Sequence, residues 1–343
     1  MLRRLTLIGS KRPGRVACGL AGAALVVGAC SSMNSASGED EPPRVAPYVD
    51  VTLTQVPDLA RLATSGTRMF NLAFITAGED CQPTWGGVVP YDDREIATRI
   101  RELRAAGGDV RISFGGAQST ELAQKCGSTD DLAAAYAKVI ASQNVIWVDY
   151  DVEGPALADT VSVRRRNLAI RQLQMAAHRR GSPLRVSYTL PADSAGLTAD
   201  AQALLRHAHA VNVDVDAVNV MAMNYGTGTS QMGAQAIEVA TSTQRFIRRL
   251  WSELPESEAW RKVAVTPMIG VNDTSAETFR AEDAVQLVDF ARRHQLGWLS
   301  FWSLNRDQPC SPAAVNDRAS AVCSGVAQRA GEFLTIFTGQ RPL

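Results

Sequence analysis

The chain has 343 residues, 45% of them hydrophobic and 6% aromatic, with 35 basic residues against 35 acidic ones. That composition excludes disordered and fibrous classes and fits an enzyme-sized globular protein of one large domain or two small ones.

Arg3, Arg4, Lys11, Arg12 and Arg15 stand at the N-terminus without an acid among them, and the uncharged stretch from Val16 to Ala29 follows. This stretch is too short to span a bilayer comfortably, so the pattern predicts a signal peptide over residues 1–29. It ends in Val27-Gly28-Ala29-Cys30, which resembles the bacterial lipoprotein signal, where the cysteine is lipidated and becomes the new N-terminus. The resemblance implies lipidation at Cys30, export, and a membrane anchor facing outside; ordinary cleavage and secretion is the alternative. Without residues 1–29 the chain keeps 30 basic residues against 35 acidic ones. A mildly acidic surface argues against nucleic acid as a partner. Residues 30–44 are rich in Ser, Asn, Gly, Glu and Pro and suit a flexible tether, which leaves residues 45–343 as a single domain.

From Pro47 onward, short apolar runs alternate with longer amphipathic ones, the pattern of β/α units around a parallel sheet. The predicted strands are Tyr48 to Leu53, Met69 to Thr76, Asp109 to Phe114, Val145 to Val152, Leu184 to Leu190, Ala217 to Asn224, Lys262 to Ile269 and Gly297 to Leu304. Helical spacing covers Asp92 to Ala106, Asp130 to Gln143, Ser162 to Arg180, Ala234 to Trp251, Ala281 to His294 and Ala319 to Phe337. Eight such units in roughly 300 residues predict an α/β fold of the (β/α)8 TIM-barrel type. A doubly wound open sheet is the rival, but no Gly-x-Gly-x-x-Gly follows the first strand.

Once Cys18 leaves with the signal and Cys30 is lipidated, Cys81, Cys126, Cys310 and Cys323 remain. Four cysteines in an exported chain suggest disulfides with three possible connectivities. Cys81 with Cys126 and Cys310 with Cys323 is the favoured pairing, because each would staple neighbouring loops. No metal is expected: there is no Cys-x-x-Cys, and His178, His207, His209 and His294 lack ligand spacing. His207 and His209 are expected on a helix surface.

The fourth strand carries the most informative pattern, Val145-Ile-Trp-Val-Asp-Tyr-Asp-Val-Glu-Gly154. Side chains two apart share a face of a strand, so Asp149, Asp151 and Glu153 line one side about 6.5 Å apart. Three stacked like charges cost stability unless a site uses them; a solvated edge strand is the bland alternative. Polar and aromatic residues also gather at the ends of strands three, six, seven and eight, in Ser113-Phe-Gly-Gly116, Met221-Ala-Met-Asn-Tyr-Gly226, Met268-Ile-Gly-Val-Asn-Asp273 and Phe301-Trp-Ser-Leu-Asn-Arg-Asp307. In a barrel these carboxyl ends build the active face. Acids stacked along one strand suggest a single proton donor, with carboxylates behind it that raise its pKa and hold its geometry.

Over residues 45 to about 310 the chain resembles the family 18 glycoside hydrolases, specifically the compact secreted bacterial chitinase group. Asp149-Tyr-Asp-Val-Glu153 resembles that family's Asp-x-Asp-x-Glu signature and Ser113-Phe-Gly-Gly116 its Ser-x-Gly-Gly motif. Met221-Ala-Met-Asn-Tyr225 and Trp302 resemble its strand-six and strand-eight motifs. The resemblance implies substrate-assisted hydrolysis without a protein nucleophile and without a cofactor. It assigns Glu153 as general acid, Asp151 as the group that orients the substrate amide, and Asp149, supported by Ser113 and Tyr48, as a proton-sharing partner of Asp151. Tyr225 would donate to the acetamido oxygen and Trp302 would floor the sugar, with Met223, Asn224 and Met268 beside it. The implied partner of this monomer is an oligo- or polysaccharide containing N-acetylglucosamine.

Three positions depart from the family pattern, the first being Ile146, which stands where the fuller signature has another Asp. Trp147 is a large side chain where a glycine is usual, and Asn224 stands where an acid commonly sits beside the tyrosine, removing one charge. The competing functions are endo-β-N-acetylglucosaminidase action on N-glycans and non-catalytic sugar binding on the same barrel. No Gly-x-Ser-x-Gly elbow, phosphate-binding Gly-x-x-x-x-Gly-Lys or His-Glu-x-x-His helix is present.

Overall fold

The structure, a computed structural model, describes residues 44–274, 276–311 and 318–339. The expected signal peptide and Cys30 lie outside the described residues. The domain is organised by eight parallel strands: β1 (Tyr48–Asp50), β2 (Met69–Ala77), β3 (Asp109–Gly115), β4 (Trp147–Asp151), β5 (Arg185–Asp193), β6 (Ala217–Ala222), β7 (Val263–Pro267) and β8 (Trp298–Leu299). Each pairs with the next in parallel register. The ring closes where the Ala46 N–H donates to the Leu299 carbonyl at 2.9 Å and the Tyr48 N–H to the Phe301 carbonyl at 3.1 Å. The α/β barrel expected from the sequence is therefore the fold observed.

The helices that follow these strands are α1 (Leu59–Thr64), α2 (Arg94–Ala105), α3 (Thr129–Ser142), α4 (Thr160–Arg179), α5 (Ala199–Ala210), α6 (Met232–Leu250), α7 (Ala281–His294) and α8 (Glu332–Thr338). Local chemistry sets their starts. Asp93, Ser128 and Asp159 each cap a helix by accepting first-turn amides. In α2 the apolar positions Ile96, Ile100 and Leu103 recur at helical spacing and are buried. His207 and His209 ride on α5, half-buried and exposed respectively, as expected.

Alternation along β4 separates two environments. Val148 and Tyr150 face outward; Tyr150 stacks on Phe114 and meets Tyr136 edge to face. Trp147, Asp149 and Asp151 face the barrel interior. Trp147 lies at the end of the barrel where the strands begin, and the Arg111 guanidinium sits 4.2 Å from its ring and 4.0 Å from that of Trp298. Trp147 is therefore one layer below the acidic residues and packs against a cation, away from the strand ends where function gathers.

Both favoured disulfides are formed, Cys81–Cys126 and Cys310–Cys323. One expectation fails: the helix predicted over Ala319 to Phe337 is confined to Glu332–Thr338. Upstream of it the chain is tied down irregularly. Arg306 Nη1 donates to the Ser320 carbonyl, Gln308 Nε2 to the Val322 carbonyl at 2.7 Å, and the Ser324 N–H to the Gln308 carbonyl at 3.1 Å. Those bonds, the disulfide at Cys323 and left-handed backbone at Gly325 and Gly331 are incompatible with a continuous helix.

Candidate active site

A cavity of about 440 Å³ opens at the carboxyl ends of the strands. Asp151, Glu153, Tyr48, Met223, Asn224, Met268 and Trp302 line it, joined by Phe74, Asp273 and Arg306. Asp149 and Ser113 lie beneath this lining.

Asp149 is 1% exposed, yet both its oxygens are satisfied. Oδ1 accepts from Ser187 Oγ at 2.6 Å and Thr189 Oγ1 at 2.9 Å; Oδ2 accepts from Ser113 Oγ and Tyr48 Oη, each at 2.8 Å. Strand register makes this possible, since Ser113, Asp149 and Ser187 are direct neighbours across β3, β4 and β5. Asn219 Nδ2 donates to Thr189 Oγ1 at 2.9 Å, and Thr266 Oγ1 donates to Asn219 Oδ1 at 2.8 Å. The threonine's own proton is thereby left for Asp149. Burial, then the charge of Asp149, pushes the Tyr48 hydroxyl well above its usual range, so it remains a donor.

Asp151 differs. It is buried, and its Oδ1 has no hydrogen-bond partner among the described residues. Burial raises its pKa well above the ordinary carboxylate range, and the charges of Glu153 and Asp149 add to the rise. Among the described hydrogen bonds none joins Asp149 to Asp151. The Ser113-Phe-Gly-Gly116 motif is explained here. A Cβ on Gly115 would fall 1.9 Å from the Asp151 carbonyl oxygen, and one on Gly116 2.6 Å from the Phe74 ring.

Glu153 lies just past β4 in extended backbone, at the start of the short helix Gly154–Ala158. Burial first, and the Asp273 charge second, push its carboxyl up to about 7. A carboxyl that holds its proton to neutral pH suits a general acid. Asp273 sits in the loop after β7, where Asn224 Nδ2 donates to its Oδ2 at 3.2 Å. Asp273 is thus the single carboxylate of this pair, held by the neutral amide of Asn224.

The apolar side of the cavity is Trp302, stacked on Phe74 with ring centroids 5.3 Å apart and 6.0 Å from Tyr48. Trp302 is fixed by its backbone, which donates to the Pro267 carbonyl at 2.9 Å and accepts from the Ile269 N–H at 3.0 Å. Tyr225 is 8% exposed, and its hydroxyl is buried without a partner among the described residues. Phe74, Asp273 and Arg306 are among the lining residues to which the sequence assigned no role, as are Asp50, Thr52, Thr76 and Thr189. Asp273 closes a strand-end motif and was within reach; Phe74 reads as ordinary core within β2.

A closed β/α barrel whose strand ends carry an anchored carboxylate, an unpartnered one and a proton-retaining one holds the groups that acid-base chemistry in a cavity requires. No family model matches the chain. Over 276 residues it is 36% identical to the "Probable bifunctional chitinase/lysozyme" of Escherichia coli (strain K12), covering 77% of this chain and 31% of that protein. It is also 36% identical over 276 residues to endochitinase 11 of Metarhizium anisopliae, covering 78% of this chain and 53% of that protein. The chain thus spans about a third and about half of these curated relatives. The crystal structure of the catalytic domain of the hyperthermophilic chitinase from Pyrococcus furiosus matches at 33% identity and a TM-score of 0.78, covering 87% of this chain and 95% of that one. The chain belongs to the family 18 glycoside hydrolases.

Proposed function

We propose that this protein is a chitinase-like retaining hydrolase that cleaves β-1,4 linkages between N-acetylglucosamine units. The observation that carries the reading is the graded set of carboxylates on and just past β4: Asp149 saturated with donors, Asp151 buried with a free oxygen, and Glu153 raised to about 7 at the cavity wall. The catalytic domain of the Pyrococcus furiosus chitinase, similar over nearly its whole length, supports the substrate class.

In this reading the protonated Glu153 gives its proton to the glycosidic oxygen as the bond to the anomeric carbon breaks. The substrate's own acetamido oxygen attacks that carbon and forms an oxazolinium ion, so no protein nucleophile is needed. Asp151, whose buried Oδ1 lacks a partner, accepts from the acetamide N–H, and the positive charge that forms beside it favours its ionised state against the burial that raises its pKa. Tyr225 donates to the acetamide oxygen, and the Trp302 ring floors the sugar. Water, deprotonated by the Glu153 carboxylate, then opens the oxazolinium and restores the acid. Asp149 acts through position and charge, because its lone pairs are occupied.

The test is product analysis of N-acetylglucosamine oligomers incubated with wild-type protein and with Glu153→Gln. Shorter oligomers of retained configuration are expected from the former and none from the latter. Equal turnover by the variant would remove Glu153 from the chemistry. We also propose, from the Val27-Gly28-Ala29-Cys30 run, that Cys30 is lipidated and tethers the barrel to the outer side of a membrane. Cys30→Ala should move the protein out of the membrane fraction, and an unchanged distribution would rule the anchor out.

A further inference from the structure

The loop after β6 carries Tyr225 on a backbone that cannot hold itself. Asn224, Gly226 and Gly228 all have left-handed φ values, 53°, 74° and 65°. Three such residues within five positions leave the amides between β6 and α6 without a regular ladder.

Glu277 satisfies them. It comes from the loop after β7, is 0% exposed, and accepts from three amides of the β6 loop. Oε2 takes the Tyr225 N–H at 2.8 Å, and Oε1 takes those of Thr227 and Gly228 at 3.0 and 3.2 Å. The two loops interlock further. Asn224 Oδ1 accepts from the Thr274 N–H at 3.1 Å, and the Asn272 N–H donates to the Glu277 carbonyl at 3.0 Å. Asn272 Nδ2 in turn donates to the carbonyls of Met268 and Gly270 at 2.9 and 3.0 Å, which fixes the supporting loop to the end of β7. Charge-assisted bonds to backbone amides are short and directional, so the position of Tyr225 is set from the neighbouring strand rather than by its own.

We infer that Glu277 is a positioning residue for the hydrolysis: it aims the Tyr225 hydroxyl at the substrate's acetamide oxygen through the Tyr225 backbone. Burial, then the charge of Glu277, raises the pKa of that hydroxyl, which keeps it a donor throughout the working pH range. The inference rests on the reaction proposed above, and on Tyr225 taking part in it.

The experiment compares Glu277→Gln and Glu277→Ala in the full chain. Gln keeps one acceptor oxygen for the loop, while Ala keeps none. Misplacement of a reacting group by about 1 Å costs on the order of 100-fold in rate, so kcat should fall about that far in the Ala variant. KM should change by no more than about threefold, because Trp302, Asp151 and Glu153 line the cavity from other strands. The Gln variant should recover about tenfold in kcat, although both variants lose Tm. Amide hydrogen exchange, which needs no substrate, should show lost protection at residues 223–230 in both. Should the Ala variant fail to fold, the Gln variant and its exchange pattern carry the comparison with wild type. Unchanged protection at those amides, a kcat that merely follows Tm, or a loss confined to KM would overturn the positioning role. Altered exchange in a protein whose wild type cleaves no N-acetylglucosamine oligomer would overturn the reaction instead, leaving Glu277 a loop brace.

Discussion

Asn224 and Asp273 form a direct side-chain pair, Nδ2 to Oδ2 at 3.2 Å, between the loops after β6 and β7. Family members commonly carry an acid beside the tyrosine, which would place a second carboxylate at position 224. The asparagine leaves one negative charge there instead of two and holds it by a neutral donor, and that charge adds to the rise in the Glu153 pKa.

The first prediction concerns pH. In the proposed reaction Glu153 acts as the protonated acid, so turnover should fall as pH rises through its pKa of about 7. Removing the Asp273 charge lowers that pKa, and the alkaline limb of the kcat profile in Asp273→Asn should move to lower pH by roughly half a unit to one unit. The shift is partial, because burial is the larger cause. Asn224→Asp adds a negative charge and should move the limb upward. Profiles measured on soluble oligomers decide the matter, and superimposable limbs in all three proteins would show that neither residue acts on Glu153.

A second prediction links the acid to stability. The folded-state pKa of Glu153 is raised, so the folded form binds this proton more tightly than the unfolded form does. That contribution is fully present below the unfolded value of about 4.3 and is lost as pH rises through about 7. Asp307, buried and pushed up to about 6, works in the same direction over a lower window. Glu153→Gln removes the cost of ionising Glu153, a gain on the order of 1 to 3 kcal/mol at pH 8 and close to none at pH 4. Thermal unfolding at both pH values should therefore show a Tm advantage of several degrees for the variant at pH 8 only. An equal advantage at both would mean that the carboxyl is not under this strain.

How much of this could be read from the sequence depended on whether a feature repeats locally. The period-two alternation of Asp149, Asp151 and Glu153 survives folding because a barrel strand keeps one face inward. The partners of Asp149 do not: Ser113, Ser187 and Thr189 are 36 to 40 residues away and meet it only through strand register. Trp147 is two residues from Asp149, which in the linear sequence sets a large ring beside the acids. Two residues along a strand instead carry it a full layer down, where Arg111 packs against it. The apolar spacing of Ala319 to Phe337 imitated a helix because the segment packs Val326 and Phe333 inward from irregular backbone and from α8 respectively. Glu277 left no pattern at all, since a carboxylate that accepts from backbone amides needs no particular residue opposite it.

The last prediction separates two glycines that flank the same acids. Gly115 has φ 108°, and a Cβ there would meet the Asp151 carbonyl oxygen at 1.9 Å, a rigid backbone atom of the neighbouring strand. Gly154 has φ 52° with nothing within 4 Å of its would-be Cβ. Both substitutions force L-residue strain, but only the first must also push β3 and β4 apart. Gly154→Ala should cost about 1 kcal/mol and leave kcat within a few-fold. Gly115→Ala should cost several kcal/mol, beyond the usual range for a point change, and should lower kcat by about 100-fold through the displaced Asp151. Denaturant midpoints and kcat measured side by side give the contrast. Equal stability loss in the two variants would show that the β3–β4 approach can relax, and that the Gly-Gly of the motif is not what seats Asp151.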